Sequence, residues 1–413
     1  MYEIRELHPG EFGSFVEIAS NAYPGMSVNT DEDKQALLER LEKQTQNPDK
    51  RLFGCFKNNT LVGGMLLHNF LMNFHFHQMQ VGGLGFVCVD LLHKKEKVAK
   101  NLVTYFEEYY RERHVPITAL YPFRPDFYRR MGYGYGTKMN KYRFQPDQLP
   151  VSLSKSDVVL LTEKDASELF CCYERYMLKT HGMMARSIDL MKALFQNPKV
   201  KVYGVKDGEA ILGYCAFTFE SEKQGNFLSN NILIKELITE TPAALQQLIA
   251  FLRSQQDQVA NIILHTQESD FHYLLQDPRN GTDNIMPHVY HESHTSAVGL
   301  MYKVLDPKKV IEAATYGLES ISVDWKVEDT FMPNFNSRVY VQFKDGRANV
   351  LEKANADVSV VISNSDFSSL MMGAVSFSSL HHLGLLSISD ESKLGNLQNL
   401  FSGFTKPICL TAF

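Results

Sequence analysis

The sequence predicts an α/β protein that continues into an α+β region, and three observations support this fold class. Strand-like and helix-like segments alternate up to about residue 150, and the same order begins again after it. From Leu300 onward, a helical segment at Pro307–Tyr316 is followed by alternating strands and then by short helical segments. A chain of 413 residues is also too long for one hydrophobic core. We therefore expect three domains, at residues 1–150, 151–299 and 300–413.

In the first domain, the pattern predicts a strand, two helices and then three strands. The predicted elements are Tyr2–Leu7, Glu11–Tyr23, Asp33–Gln44 and three strands within 51–89. Asn58 and Asn59 are typical of a two-residue hairpin turn between strands. Gly63 and Gly64 inside a strand indicate a bulge or a close approach of two backbones.

A basic segment follows the strand that ends at Val89. Apolar residues from Val98 to Tyr109 recur at spacings of three and four, which predicts an amphipathic helix. Four lysines crowd its start: Lys94, Lys95, Lys97 and Lys100. Lysine is unfavourable at the positive end of a helix, whereas free N–H groups there bind phosphates well. These residues alone leave two interpretations open, a phosphate site and a solvated basic helix end.

The second domain repeats the order of elements without a basic segment. A polar stretch at residues 145–157 precedes it. Its third strand, Ile232–Thr239, leads into a helix through Thr241 and Pro242, which form an N-cap and first-turn pair. We therefore expect no phosphate site there. In the third domain, Asp345 and Gly346 predict a tight hairpin turn.

Composition narrows the functional class. The formal net charge of −5 argues against a general nucleic-acid binder, so the lysine cluster suits a small anionic ligand. Six scattered cysteines without a Cys-x-x-Cys pair favour a reducing cytoplasm. The acidic N-terminus is unlike a signal peptide, and no apolar run reaches membrane-spanning length. We expect a soluble cytoplasmic protein that binds neither nucleic acid nor membrane.

Three histidines in the first domain raise the question of a metal. His68, His75 and His77 have no carboxylate or cysteine partner at a ligand-like spacing. Histidines on the surface or in a turn are the commoner case, so we expect no metal site.

The basic segment and the sequence after it resemble the acetyl-CoA-binding core of the GCN5-related N-acetyltransferases (GNAT superfamily). Val87, Cys88 and Val89 match the end of the family's strand, and residues 94–99 occupy its pyrophosphate turn. LYPFRPDFYRRMGY is the better match. Two positions depart from the family pattern: Leu91 stands where proline is usual, and Lys97 where the middle glycine is usual.

The rest of the chain narrows the resemblance. The segment DVSVVISNSDFSSLMMGAVSFSSLHHLGLLSI is similar to the sterol carrier protein fold, an antiparallel sheet packed against helices. Two GNAT-like domains followed by such a domain resemble the enhanced intracellular survival (Eis) type of bacterial acetyltransferase. That resemblance implies acetyl transfer from acetyl-CoA to a small-molecule or peptide amine, including aminoglycosides and lysine. It also implies a homo-oligomer, in many members a hexamer, and a second domain that forms one wall of the acceptor pocket.

The resemblance also implies the roles of individual residues. Tyr128 corresponds to the general acid and Phe413, through its terminal carboxylate, to the base; Tyr23 and Met26 border the acceptor site. The cofactor-binding positions are Val87, Cys88, Val89, Lys94, Lys95, Glu96, Lys97, Val98, Ala99, Lys100, Phe123 and Arg124. The chemistry fits, since an ammonium must lose a proton before it attacks a thioester and the leaving thiolate must gain one. Packing roles for these side chains stay open.

Two other functions remain open. The chain could be a lipid- or sterol-binding protein with a degenerate transferase core, and Lys97 in place of glycine supports this reading. It could also transfer longer acyl or aminoacyl groups, which tandem GNAT folds serve as well.

Overall fold

The computed structural model describes residues 2–26, 28–151, 154–222, 229–353 and 355–413. Residues 152 and 153 of the predicted polar stretch lie outside these ranges. Two compact units are present: one comprises residues 1–136, 300–406 and 411–413, and the other residues 137–299 and 407–410. The first unit combines segments from both ends of the chain. The domain limits drawn from the sequence therefore stay a prediction.

The first segment of unit 1 contains the strands and helices that the sequence predicts for it. The strands are β1 (Tyr2–Glu6), β2 (Lys50–Lys57), β3 (Thr60–Phe74), β4 (His77–Val89), β5 (Ile117–Leu120) and β6 (Gly134–Tyr135). The helices are α1 (Phe12–Ala22), α2 (Asp31–Thr45), α3 (Val98–Glu112) and α4 (Pro125–Arg129). The apolar face of α3 is buried as its spacing predicts, with Leu102 and Phe106 fully inaccessible to solvent.

Unit 2 has a seven-stranded sheet of its own. Its strands are β7 (Met139–Phe144), β8 (Val158–Leu160), β9 (Val200–Asp207), β10 (Ala210–Ser221), β11 (Asn230–Thr239), β12 (Val259–Thr266), β13 (Ile285–Met286), β14 (Tyr290–His291) and β15 (Thr295–Ala297). Its helices are α5 (Ala166–Lys179), α6 (Ile188–Gln196) and α7 (Pro242–Arg253). The sheet order is β15-β7-β12-β11-β10-β9-β8, while β13 and β14 form a separate hairpin. The strand β7 thus pairs in this second sheet although it precedes residue 150.

The third segment of the chain forms a five-stranded sheet with short helices. Its strands are β16 (Met301–Val304), β17 (Ile321–Glu328), β18 (Ser337–Lys344), β19 (Arg347–Leu351), β20 (Val358–Ser363) and β21 (Leu386–Ile388). Its helices are α8 (Pro307–Ala313), α9 (Asn364–Met371), α10 (Phe377–His382) and α11 (Leu394–Leu400). The sheet order is β19-β18-β17-β20-β21. The expected purely antiparallel sheet is wrong at one pair, because β17 and β20 run parallel.

The strand β16 belongs to the first sheet and not to the third. The order of that sheet is β1-β2-β3-β4-β5-β16-β6. Met301 pairs with Leu120 of β5 on one side and with Tyr135 of β6 on the other. The N-terminal sheet is therefore completed by a strand from the C-terminal part of the sequence.

Both predicted irregularities of the first sheet are confirmed. Asn58 and Asn59 have φ angles of 51° and 64°, as a hairpin turn of this type requires. The register between β2 and β3 shifts next to Gly63. A Cβ atom on Gly64 would lie 2.5 Å from the Phe53 carbonyl oxygen, so only glycine fits this close approach.

The end of β4 separates from its neighbour β5. The parallel ladder between the two strands ends at Leu84 and Leu120, whereas β4 continues to Val89. Just beyond this point the register between β3 and β4 shifts, and Phe86 has a φ of 52°. A bulge of this kind re-aims side chains and frees backbone groups from the ladder. The edge of β4 that faced β5 is thereby open to a ligand.

No helix in the described ranges is long and apolar enough to cross a membrane.

Candidate active site

The basic turn between β4 and α3 has the backbone conformation that glycine usually provides. Lys95 and Lys97 have φ angles of 67° and 65°, in the left-handed region. A residue with a side chain in this region costs about 1–2 kcal/mol, so the surrounding structure must hold it there. Lys97 thus keeps the tight turn although it stands where the family has glycine.

Glu96 holds this turn in place through contacts with residues outside it. Its carboxylate accepts hydrogen bonds from the Lys57 ammonium at 2.8 Å and from Tyr2 at 3.2 Å, and it lies 3.0 Å from His93 Nδ1. Lys57 and His93 lower the pKa of Glu96 to about 2, so it is ionised at neutral pH. Glu96 therefore has a structural role in the turn, and among the predicted cofactor positions it does not line the cavity.

The helix α3 presents unpaired positive charge and free amides at its start. Its first intrahelical bond joins the Asn101 N–H to the Lys97 carbonyl oxygen at 2.9 Å, so the amides before Asn101 precede the ladder. Among the residues that the structure describes, no side chain caps this end. Across the described residues, none of the lysines 94, 95, 97 and 100 forms an ion pair. An anion at this helix start would satisfy both the amides and the lysines.

A cavity of about 830 Å³ opens beside this turn; we call it the large cavity. Its size falls in the range of ligand pockets, about 300–1,000 Å³. Its lining residues are Ala22, Tyr23, Val87, Cys88, Val89, His93, Lys94, Lys95, Lys97, Val98, Ala99, Lys100, Phe123, Arg124, Phe127, Arg130, Met131 and Phe331. Every predicted cofactor position except Glu96 is in this set. Basic groups lie at one side of the cavity and apolar ones along β4. This arrangement fits an elongated ligand with phosphates and an apolar arm, such as acetyl-CoA.

Tyr23 and Cys88 meet at the open edge of β4. The Tyr23 hydroxyl donates a hydrogen bond to the Val87 carbonyl oxygen, and its ring stacks on Phe86 at 5.8 Å. Burial raises the pKa of Tyr23 to about 12 and that of Cys88 to about 12. The Cys88 thiol is therefore protonated at neutral pH, which makes it a poor nucleophile.

Tyr128 lies on α4, directly behind the aromatic wall of the large cavity. Its ring meets Phe123 and Phe127 edge to face, at 5.9 Å and 5.1 Å. Burial raises the pKa of Tyr128 well above its ordinary value, and Tyr23 adds to the rise. Its hydroxyl makes no hydrogen bond to another described residue, unlike the Tyr23 hydroxyl. The Tyr128 hydroxyl thus keeps its proton and donates it to no described neighbouring side chain.

The other two predicted site residues, Met26 and Phe413, line a second cavity of about 320 Å³, which we call the small cavity. Its remaining lining residues are Arg40, Leu41, Gln44, Lys50, Leu66, His68, Gly85, Phe86 and Ala412. The Phe413 ring packs against Phe70 at 4.9 Å and Tyr121 at 5.2 Å. A Cβ atom on Gly85 would lie 3.3 Å from the carboxyl carbon of Phe413, so the chain end approaches β4 directly.

Sequence reasoning missed several residues of these cavities. Phe331 follows β17 in the third segment, yet it lines the large cavity, and the Lys100 ammonium lies 5.4 Å from its ring centroid. Arg40 and Lys50 line the small cavity without any motif to mark them. His68, expected at a surface or turn, is only 4% exposed, because it lies inside β3. His75 is in the β3–β4 turn but is also buried.

Unit 2 has no equivalent of the basic turn at the corresponding helix. The helix α7 begins after Thr241, whose hydroxyl accepts a hydrogen bond from the Ala244 N–H at 3.2 Å. The Thr241 side chain thus satisfies a backbone amide that would otherwise be free to bind an anion. Over the ranges that the structure describes, no cluster of three or more His, Cys, Asp or Glu side chains could hold a metal ion.

Three family models match the chain. Residues 3–136 match an acetyltransferase (GNAT) domain, residues 182–296 match a second acetyltransferase (GNAT) domain, and residues 307–410 match a sterol carrier protein domain. The predicted fold class and domain combination are thereby confirmed.

A curated relative and several solved structures match this chain over nearly their full length. An uncharacterized N-acetyltransferase of Streptomyces avermitilis is 22% identical over 98% of this chain and 97% of its own length. The crystal structure of a GCN5-related N-acetyltransferase from Anabaena variabilis has a TM-score of 0.82 at 16% identity, with both chains fully covered. Eis1 from Mycobacterium abscessus has a TM-score of 0.75 at 20% identity, again with both chains fully covered. At these identities the solved structures establish the fold.

Proposed function

The chain is an acetyl-CoA-dependent acyltransferase with two GNAT domains and a sterol carrier protein domain of the Eis type, and we propose that it acetylates an amine acceptor held in the small cavity. One observation carries this proposal. The two cavities meet on β4: Val87, Cys88 and Val89 line the large one, and Gly85 and Phe86 line the small one. A donor in the first cavity and an acceptor in the second would therefore meet at the bulge of this strand.

The large cavity would hold acetyl-CoA as co-substrate. The lysines 94, 95, 97 and 100 and the first amides of α3 would bind its pyrophosphate. The open edge of β4 would hold the acyl arm and donate backbone N–H groups to the thioester oxygen as it gains charge. When bound, the co-substrate supplies an activated acetyl group as a thioester. The left-handed conformation of Lys97 argues against a degenerate core, because it preserves the turn without glycine.

Two groups of the chain would move protons. If Phe413 is the last residue, its α-carboxylate is ionised at neutral pH and can accept the proton of the amine, directly or through water. Tyr128 would donate its proton to the departing thiolate and regain one from solvent. In the balance, an N–C bond forms, the C–S bond of the thioester breaks, and free CoA leaves as a thiol. No covalent intermediate with the protein is needed.

Thiol release tests this function. Purified protein with acetyl-CoA and a panel of amines should release free CoA in proportion to an acetylated product identified by mass spectrometry. Parallel reactions with longer acyl-CoA donors decide whether acetyl is the preferred group. A protein that binds acetyl-CoA but releases no thiol with any amine would contradict the proposal.

We also propose a cytoplasmic homo-oligomer, a hexamer by resemblance to the Eis type. Five of the six cysteines are buried, and Cys55, Cys88, Cys171, Cys172 and Cys215 are free thiols, which suits a reducing compartment. Light scattering coupled to size exclusion would measure the number of subunits.

A further inference from the structure

The small cavity has a charge pattern that bears on which amine it accepts. Arg40 comes from α2, while Lys50 and His68 face each other across the β2–β3 ladder. If Phe413 is the last residue, it adds its α-carboxylate, and no acidic side chain of the described residues lines this space. The cavity is therefore mainly cationic, with a single acid at one place.

The two cations have no partner in the described part of the chain. Neither Arg40 nor Lys50 forms an ion pair there, although other basic residues of the same elements do, such as Lys34 with Glu17 and Arg51 with Glu6. Lys50 is half-buried, and its burial, together with Arg40 nearby, lowers its pKa. Arg40 is exposed and Lys50 is half-buried, and an anion bound near both would relieve the repulsion between these two cations.

His68 gives an independent indication of a ligand. His68 is only 4% exposed, and neither of its ring nitrogens has a hydrogen-bond partner among the described residues. Buried polar atoms are almost always paired, so an unpaired imidazole at a cavity wall indicates an absent polar partner. Burial lowers the pKa of His68 to about 3, which leaves a neutral ring with one donor and one acceptor.

The acid and the cations occupy different parts of this cavity. The Cβ position of Gly85 would lie 3.0 Å from His68 Nε2 and 3.3 Å from the Phe413 backbone carbonyl carbon, so the imidazole and Phe413 meet there. Lys50 is the strand partner of His68, and Arg40 is near enough to Lys50 to lower the pKa of that ammonium. These neighbours give the order Phe413, imidazole, ammonium and guanidinium.

From this order we propose that the acceptor is a small amine that also carries a carboxylate or phosphate group, the amine at Phe413 and the anionic group at Lys50 and Arg40. This inference rests on the proposed function, since it assigns the acceptor of the same site. A volume of about 320 Å³ suits a molecule of amino-acid size. Polycationic amines, aminoglycosides included, are poor acceptors, because their further ammonium groups meet the two cations.

Matched acceptors test the proposal in the full-length protein. The series β-alanine, 4-aminobutyrate and 6-aminohexanoate is compared with propylamine, butylamine and hexylamine, which have similar amines but no anion. Phosphoethanolamine against ethylamine separates phosphate from carboxylate, and kanamycin and spermidine represent polycations. We expect kcat/KM to be about tenfold or more higher for the best acceptor with an anionic group than for the matched alkylamine, which lacks that group. Equal values, or a preference for the polycations, would overturn the inference and leave the proposed function intact.

Substitutions locate the effect. Lys50→Met together with Arg40→Gln should raise the KM of the acceptors that carry an anionic group about tenfold relative to the KM of the matched alkylamines. Lys43→Met on α2 together with Arg51→Gln on β2 removes the same two charges outside the cavity, and we expect no change in acceptor preference. A loss of preference in both variants would contradict the assignment of the anion site.

A binding measurement keeps the inference testable even if no amine is acetylated. Calorimetric titration of the same acceptors into protein saturated with CoA should show binding of an anionic amine that is lost in the Lys50→Met, Arg40→Gln variant. Absence of thiol release would then contradict the proposed function alone, whereas absence of this binding would contradict the inference.

Discussion

The Lys303 ammonium lies 2.7 Å from the Glu107 carboxylate, and neither side chain is exposed to solvent. Lys303 comes from β16 and Glu107 from α3, so the pair joins the C-terminal strand of the first sheet to the helix that begins at the basic turn. Asp329 is 2.9 Å from the same ammonium, and its other oxygen accepts hydrogen bonds from the backbone N–H groups of the cavity residue Phe331 and of Met332, both at 3.0 Å. This buried cluster therefore supports one wall of the large cavity.

The cluster predicts the most damaging single substitution in this region. Lys303→Met keeps the volume but removes the cation between two buried carboxylates and leaves Asp329 only with Arg111, at 3.8 Å, which should cost about 3–5 kcal/mol of unfolding free energy. Lys308→Met on the exposed side of α8 is the control and should change it by less than about 0.5 kcal/mol. Urea unfolding of both variants measures the difference, and equal stabilities would contradict the role of the cluster.

Glu107 should also contribute to the pH dependence of stability. Burial raises its pKa from 4.5 to about 7, against the pull of Lys303. Because the folded protein then holds this proton more tightly than the unfolded chain, the contribution of Glu107 to stability falls as the pH rises from about 4.5 to about 7. Glu107→Gln should remove this fall, so the wild type loses more stability than the variant between these pH values. Parallel pH profiles of the two proteins would show that Glu107 does not titrate in this way.

The basic turn can be tested by charge and by conformation. Lys95→Glu with Lys97→Glu should strongly weaken acetyl-CoA binding and make the remaining binding less sensitive to salt. Lys97→Gly keeps the left-handed backbone and removes only one cation, so we expect a much smaller loss of affinity and unchanged or slightly higher stability. Calorimetry that finds wild-type affinity in the double variant would exclude the turn as a phosphate site.

Tyr128→Phe separates acid catalysis from packing. The ring contacts with Phe123 and Phe127 remain, so the fold and acetyl-CoA affinity should persist, while turnover should fall by roughly 100-fold. Tyr135→Phe is the matched control, since Tyr135 lines neither cavity and, unlike Tyr128, has no described ring contact with Phe123 or Phe127 of the large cavity. If Tyr128→Phe turns over as fast as the control, Tyr128 has only a packing role.

The chain end can be tested by blocking its carboxylate. A tag fused after Phe413, or deletion of Phe413, should abolish acetyl transfer while the melting temperature and acetyl-CoA affinity hold. A purely apolar docking role predicts instead that the tagged protein stays active, because the ring keeps its contacts. The comparison is between N-tagged and C-tagged protein, and full activity of the latter would remove the carboxylate from the mechanism.

Local patterns predicted most elements but not their partners. The alternation of β2 to β4 and the spacing of α3 are properties of neighbouring residues, and the structure confirms them. The strands β7 and β16 show the limit of local patterns, because the sequence of a short apolar strand does not determine the sheet in which it pairs. Register across the chain, such as Met301 with Leu120, is decided by packing between distant segments.

The same limit applies to the site. The family-like motif places the lysine turn and Tyr128, which lie close together in sequence. Arg40, Lys50 and His68 come together only because α2 packs on the sheet and β2 pairs with β3. Phe331 depends on the buried cluster around Lys303. None of these residues has a local signal, so only the three-dimensional structure reveals them.

The position of β16 has a consequence for how this protein is made. Ribosomes deliver the N-terminus first, and domains generally fold as units while the rest is still being synthesised. Here Ile117 of β5 pairs with Val304 of β16, so its sheet is complete only after residue 304 has been synthesised. Until then the unpaired edge of β5 can recruit other strands, which is a hazard for aggregation. A nascent chain halted before Leu300 should therefore depend on chaperones and be cut readily by proteases, and a shortened gene for the first 136 residues should yield insoluble protein.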